Sequence, residues 1–229
     1  MSTRFDVDAV LIDLDGTLLD TVADLAAATN AMLVEFGRSP LALATVAAYV
    51  GKGAGVLVHR ALGGGLDARV APAEFEPAMA AFMHHYEREN GLRATPYDGA
   101  MAGLEAMRAN GLALACVTNK PQRFADALLA RCGMAQYFQL VVGGDALERR
   151  KPDPLPMHHA AKQLGVPPDR CLAIGDSLND ALAARAAGMP VLAVPYGYNE
   201  GRDVRELDVD GIVASLAEAA GCITDRRAG

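Results

Sequence analysis

Asp13 and Asp15 stand in Asp13-Leu14-Asp15-Gly16-Thr17, directly after the short apolar run at 7–12. Alternation along an extended chain puts the two carboxylates on the same side, just past a strand end. Held that close, they repel each other and require a cation between them. An Asp-Gly turn beside a solvated acid is the plainer alternative. The pattern is not a calcium-binding EF-hand loop, because the later ligands of that loop are absent.

Three further clusters can join this pair. Val117-Thr118-Asn119-Lys120 ends another apolar run. A hydroxyl and free backbone N–H groups ahead of a helix make a phosphate cradle. Capping by Thr118 or Asn119 of a helix that starts near Pro121 is the competing use, and both can hold at once. Lys151 precedes Pro152-Asp153-Pro154, where a stiff backbone presents its ammonium to a phosphoryl group as a point charge. By itself such a lysine reads as a solvated surface charge. Asp176, in Gly175-Asp176-Ser177-Leu178-Asn179-Asp180, sits at a strand end, with Asp180 one helical turn on. Acids are favoured at any helix N-terminus, so this cluster alone reads equally as a metal site or as ordinary helix electrostatics. Taken together, the clusters supply a nucleophile, a hydroxyl, a cation and further carboxylate. Each falls at the carboxyl end of an expected strand or in the loop after it.

The elements that must position these residues are legible in the pattern. Short apolar runs recur at 7–12, 112–117, 139–142, 171–174 and 190–194, bounded by Gly, Pro, Asp or Asn. Helical patterns at 121–131, 154–164 and 178–187 lie between them. The alternation predicts an α/β fold, a Rossmann-like parallel sheet flanked by helices on both faces. In such sheets ligands bind beyond the carboxyl ends of the strands. Residues 20–90 break the rhythm. They are Ala-rich and helical in period, with one amphipathic helix beginning at Thr21 and others at 41–49, 54–62 and 73–90; the glycines at 63–65 read as a loop. The turn-rich stretch 94–99 marks the return to the sheet. The expected organisation is a catalytic core of 1–18 and 96–229 with an inserted α-helical cap subdomain at 19–95. The residues from 225 to 229 read as a frayed tail.

Composition narrows the partners. Of 229 residues, 52% are hydrophobic and 21% charged, enough for a real core, and the absence of Trp makes that core one of Ala, Leu and Val. A net charge of −7 without a long Lys/Arg run argues against nucleic acid and anionic membranes as partners. The four cysteines are far apart and form no CxxC pair, which reads as small buried hydrophobes in a reducing compartment. With no charged-then-apolar leader and no apolar run of membrane-spanning length, a soluble cytoplasmic protein is expected. His59, Arg60, His84 and His85 fall in the helical block and are expected on solvated helix faces.

The order DLDGTLLD, VTNK, KPDP, GDSLND resembles the four motifs of the haloacid dehalogenase superfamily over nearly the whole chain. VTNKPQRFADALL, RKPDPLP, the YGYNEG segment from Tyr196 and Val50-Gly51-Lys52-Gly53 resemble, more closely, its bacterial phosphoglycolate phosphatase branch. The resemblance implies a Mg²⁺-dependent phosphatase for a small phosphorylated metabolite. In it Asp13 is the nucleophile that forms an aspartyl-phosphate, and Asp15 is the general acid and base. Asp13, the backbone carbonyl of Asp15 and Asp176 would hold Mg²⁺. Thr118, Asn119 and Lys151 would hold the phosphoryl group, and Asp180 would orient Lys151 or a metal-bound water. Lys52, in the cap loop 51–53, would contact the substrate. The implied reaction is hydrolysis of 2-phosphoglycolate to glycolate and phosphate. Halide-removing relatives lack an acid at the place of Asp15, which argues for phosphoryl chemistry. The rivals are a phosphatase for a sugar phosphate or nucleotide, a sugar phosphomutase and a regulatory binding module. The mutase is disfavoured because such enzymes carry Glu-Asp where Gly175-Asp176 stands. The module is disfavoured because Asp13, Asp15, Lys151 and Asp176 are all present.

Overall fold

The computed structural model describes residues 4–224, so the tail expected from 225 lies outside the described residues. The chain opens into β1 (Ala9–Ile12), whose alternate side chains enter two different cores. Val10 and Ile12 join one face of the sheet, Ala9 and Leu11 the other. The same alternation continues in β4 (Ala113–Val117), β5 (Leu140–Val142), β6 (Cys171–Gly175) and β7 (Val191–Ala193). Among the described residues these strands and β8 (Gly211–Ile212) form one parallel sheet in the order β5-β4-β1-β6-β7-β8. Strand order reverses beside β1, so a crevice opens at the carboxyl ends of β1, β4 and β6, the place where such sheets bind ligands.

Helices cover both faces. On the Val10/Ile12 face lie α5 (Ala100–Ala109), α6 (Gln122–Arg131) and α9 (Leu216–Gly221). On the Ala9/Leu11 face lie α7 (Leu155–Leu164) and α8 (Leu178–Ala186). Large side chains such as Leu104, Leu128 and Leu172 fill the first core, whereas Ala160, Ala161, Ala183 and Ala184 let α7 and α8 approach the sheet closely.

Between β2 (Leu19–Asp20) and β3 (Thr95–Pro96) the chain forms α1 (Val22–Glu35), α2 (Leu43–Tyr49), α3 (Ala54–Gly63) and α4 (Pro72–Glu89). These helices bury their own cluster, with Leu25, Met32, Val58, Phe82 and Tyr86 at its centre. Phe124 and Tyr198 from the sheet side complete it. The two connections pair with each other as a short antiparallel ribbon, Leu19 opposite Pro96 and Asp20 opposite Thr95. No helix among the described residues is long and apolar enough to cross a membrane. The cysteines are free thiols; Cys116 and Cys171 are buried and Cys132 and Cys222 half-buried.

Candidate active site

Asp13 extends β1 by one residue, its N–H donating to Ile174 O at 3.0 Å, so its side chain emerges at the crevice on a fixed backbone. Lys151 Nζ stands 2.9 Å from Asp13 Oδ1 and donates to Asp180 Oδ1 and Val117 O, both at 2.6 Å. The other oxygen of Asp180 accepts from the backbone N–H and hydroxyl of Ser177 at 3.1 and 2.6 Å, the capping box of α8. Both oxygens of Asp180 are therefore engaged, one by the lysine and one by the helix start. Asp176 accepts from Thr17 Oγ1 at 2.8 Å and from Tyr198 N–H at 2.5 Å. Gly16 makes room for it: a Cβ there would come within 2.4 Å of Asp176 Oδ2, and its φ of +92° is one that side chains resist.

The electrostatics of this cluster ask for a cation. Asp13, Asp176 and Asp180 offer oxygens that all lie within 4.8 Å of one another. Burial pushes the Asp13 carboxyl up to about 6; Lys151 opposes the rise and the charge of Asp180 adds to it. Burial, then the charges of Asp180 and Asp13, raise Asp176 well above the usual carboxylate range. Burial also works against the charge on Lys151, yet Asp13 and Asp180 outweigh it and raise its pKa. One ammonium against three carboxylates leaves two negative charges, and the donors are hard oxygens. The set fits a hard divalent cation.

Asp15 belongs to a second charged group. Its Oδ1 accepts from Thr21 Oγ1 at 2.7 Å, and Lys120 Nζ stands 3.0 and 3.2 Å from its two oxygens. Lys120 also donates to Tyr86 Oη of α4. The sequence alone assigns Lys120 no role of its own, because nothing in VTNK shows which distant groups would meet its ammonium. Its place at the end of a buried strand, in the same four residues as Thr118 and Asn119, was the available signal.

The structure relocates other expected residues. Neither Thr118 nor Asn119 caps α6, which begins after Pro121 without a side-chain cap. Thr118 Oγ1 accepts from the N–H of Lys120 at 3.2 Å and lines the cleft. The Asn119 side chain was expected on a phosphoryl oxygen, but its amide hydrogens donate to Gly51 O and Lys151 O at 3.1 and 2.9 Å. Its backbone N–H is what remains for an anion. Lys52 ion-pairs with Glu200 at 2.8 Å, while its neighbours Gly51 and Gly53 line the cleft. Arg60 corrects the expectation of a solvated face: it is 2% exposed. Its planar fork donates to Leu66 O, Tyr49 O and Glu200 Oε1 at 2.8, 3.0 and 2.5 Å, which satisfies a charge that burial would otherwise penalise. Tyr198, seen only as part of a segment, reaches into the start of α1, where its Oη accepts from the N–H groups of Thr21 and Val22 at 2.8 and 3.0 Å.

Asp13 and Asp15 open into one cleft between the sheet and the helical block. Asp13, Asp15, Thr118 and Lys120 form its sheet side; Leu25, Val50, Leu57 and Phe82 from the helical block form the other.

Residues 7–188 match the family model of the haloacid dehalogenase-like hydrolases. The chain belongs to that family. Within it, a phosphoglycolate phosphatase from Thiobacillus denitrificans is 51% identical over 218 residues, covering 95% of this chain and 96% of that protein. Another, from Nitrosospira multiformis, is 51% identical over 213 residues, covering 93% and 94%. Among solved structures, a predicted phosphoglycolate phosphatase from Haemophilus somnus superposes with a TM-score of 0.88 at 30% identity, over 94% of this chain and 97% of that one. As a haloacid dehalogenase-like hydrolase, the chain has a carboxylate nucleophile candidate beside one ammonium and a second carboxylate beside another. Both open into one cleft with an apolar roof. Such a site can transfer a phosphoryl group to Asp13 while Asp15 handles the proton.

Proposed function

We propose that this chain is a Mg²⁺-dependent phosphatase that hydrolyses 2-phosphoglycolate to glycolate and phosphate. The observation that carries the reading is the placement of Asp13 and Asp15 in one cleft, each against its own buried lysine, Lys151 and Lys120. The substrate rests on the relatives at 51% identity named above.

Asp13 attacks phosphorus; its Oδ–P bond forms as the bond to the glycolate oxygen breaks. Asp15 donates its proton to that oxygen as it leaves. Asp15, now ionised, removes a proton from water. The water oxygen attacks phosphorus and frees Asp13 along with inorganic phosphate. The Thr118 hydroxyl and the backbone N–H of Asn119 hold phosphoryl oxygens, with Lys151 as the balancing charge. Asp180 keeps Lys151 in place. Catalysis of this kind is mostly positioning and charge neutralisation. Asp13, the backbone carbonyl of Asp15 and Asp176 would hold Mg²⁺, which when bound neutralises part of the charge of the carboxylates and the phosphoryl group. Residues 19–95 act as a cap over the core formed by 1–18 and 96–229, excluding water while the ester is cleaved. The partner is a small phosphorylated metabolite, and the place of work is the cytoplasm.

A panel of small phosphates tests the substrate, and chelation tests the metal. Phosphate release is expected to be fastest in kcat/KM for 2-phosphoglycolate, to stop in excess chelator, to return with Mg²⁺ and to be absent in Asp13→Asn. Release that persists in chelator would refute the metal; a sugar phosphate or nucleotide leading the panel would refute the substrate but leave the phosphatase standing.

A further inference from the structure

We propose that Lys120 recognises the carboxylate of the substrate, a specificity-determining contact; the inference rests on the 2-phosphoglycolate reading and deepens it. Lys120 is 4% exposed and lines the cleft, whereas Lys151, paired with Asp13, does not line it. Among the described residues that line the cleft, Lys120 has the one cationic side chain.

Its hydrogen bonding leaves capacity for another acceptor. An ammonium carries three N–H groups. Asp15 and Tyr86 Oη engage two directions, with Asp15 shared across its oxygens at 3.0 and 3.2 Å. One donor remains. Tyr86 Oη accepts from Lys120, so its own O–H proton is left to donate as well.

The reach matches the substrate. To protonate the leaving oxygen, Asp15 must lie about 3 Å from it. Lys120 Nζ is itself 3.0 Å from Asp15 Oδ1, one group removed from that oxygen. In 2-phosphoglycolate the carboxylate carbon is joined to the same oxygen through a single methylene. When Asp15 addresses the ester oxygen, the carboxylate falls at the Lys120 end of the cleft. The helical side of the cleft is apolar, built from Leu25, Val50, Leu57 and Phe82. A carboxylate desolvated there without a cation is strongly disfavoured. Lys120 supplies the cation, and a neutral hydroxyl at the same place gains only a weaker hydrogen bond from it.

The test compares 2-phosphoglycolate with 2-hydroxyethyl phosphate, which replaces the carboxylate by a hydroxymethyl group at the same chain length. Lys120→Met is expected to lose about 100-fold more kcat/KM on 2-phosphoglycolate than on 2-hydroxyethyl phosphate, the size of truncating one partner of a buried charge pair. The excess loss appears mainly in KM, and Lys120→Arg recovers part of it. Equal losses on the two substrates would overturn the inference, leaving Lys120 to serve Asp15 alone. Wild-type protein that hydrolyses 2-hydroxyethyl phosphate but not 2-phosphoglycolate would instead overturn the substrate reading, and the inference with it. Should Lys120→Met fail to fold, Tyr86→Phe, which keeps the ring, reads the same selectivity. A smaller loss confined to 2-phosphoglycolate supports the contact, and equal losses refute it.

Discussion

Asp180 Oδ1 accepts a hydrogen bond from Lys151 Nζ at 2.6 Å, and both side chains are buried. The same ammonium is 2.9 Å from Asp13, so Asp180 fixes where Asp13 finds its counter-charge. Asp180→Asn keeps the size and one acceptor but removes the charge. The expected result is a fall in kcat of about 10–100-fold, the usual scale for a supporting contact behind a reacting group. An unchanged kcat in steady-state assays would remove Asp180 from that role.

Asp15→Asn separates the two halves of the reaction. An aryl phosphate has a leaving group that departs without a proton, so Asp13 can still be phosphorylated. The hydrolytic half then lacks its base. Rapid-quench assays should show a burst of about one phenolate per active site followed by slow turnover. A linear trace at the wild-type rate would contradict the role given to Asp15.

Metal and pH are coupled through the buried acids. Folding raises the Asp13 carboxyl to about 6, and raises Asp176 as well, so the folded protein favours their neutral forms. The contribution of Asp13 to stability is therefore full below the ordinary carboxylate pKa and is lost as pH rises through about 6, and that of Asp176 is likewise lost as pH rises. A divalent cation compensates the ionised forms. Thermal melts should show a larger Mg²⁺-induced rise at pH 7.5 than at pH 5. Equal rises at both would argue against Asp13 and Asp176 as ligands.

Gly16→Ala puts a Cβ within 2.4 Å of Asp176 Oδ2 and forces alanine to a φ of +92°. Asp176 must turn away from its partners Thr17 and Tyr198. Titration of activity with Mg²⁺ should show a requirement raised at least ~10-fold. An unaltered requirement would mean that the carboxylate adjusts freely.

Tyr198→Phe removes the acceptor of the Thr21 N–H at the start of α1, one of the two acceptors of the Val22 N–H, and the donor to Asp20. Leaving such groups unpaired costs about 1–3 kcal/mol, measurable as a lower midpoint in urea unfolding. The aromatic packing in the cluster buried by the four inserted helices survives the change, so a larger loss would indicate some further role for the hydroxyl.

The sheet was legible because runs such as Leu112 to Val117 are apolar on both faces and end in polar clusters, a pattern only a buried strand satisfies. That pattern alone places Asp13, Thr118 and Asp176 at strand ends. The ribbon of Leu19–Asp20 with Thr95–Pro96 was not legible, since two residues cannot display a period. Helix α5, Ala-Met-Ala-Gly-Leu-Glu-Ala-Met-Arg-Ala, went unremarked because alanine and glycine blur the boundary between its faces. Lys120 and Arg60 escaped for a shared reason. A long cationic side chain is buried only when distant partners meet it, here Asp15 with Tyr86 and Glu200 with two carbonyls. Those meetings depend on how the helices sit on the sheet.

The Asn119 amide is divided between Gly51 O on the helical side and Lys151 O on the sheet side. Seating the helices and stiffening the backbone of the charge-bearing lysine thus draw on one small group. Because both hydrogens leave the same nitrogen, replacing Asn119 would untie the loop of residue 51 and the backbone of residue 151 in a single change.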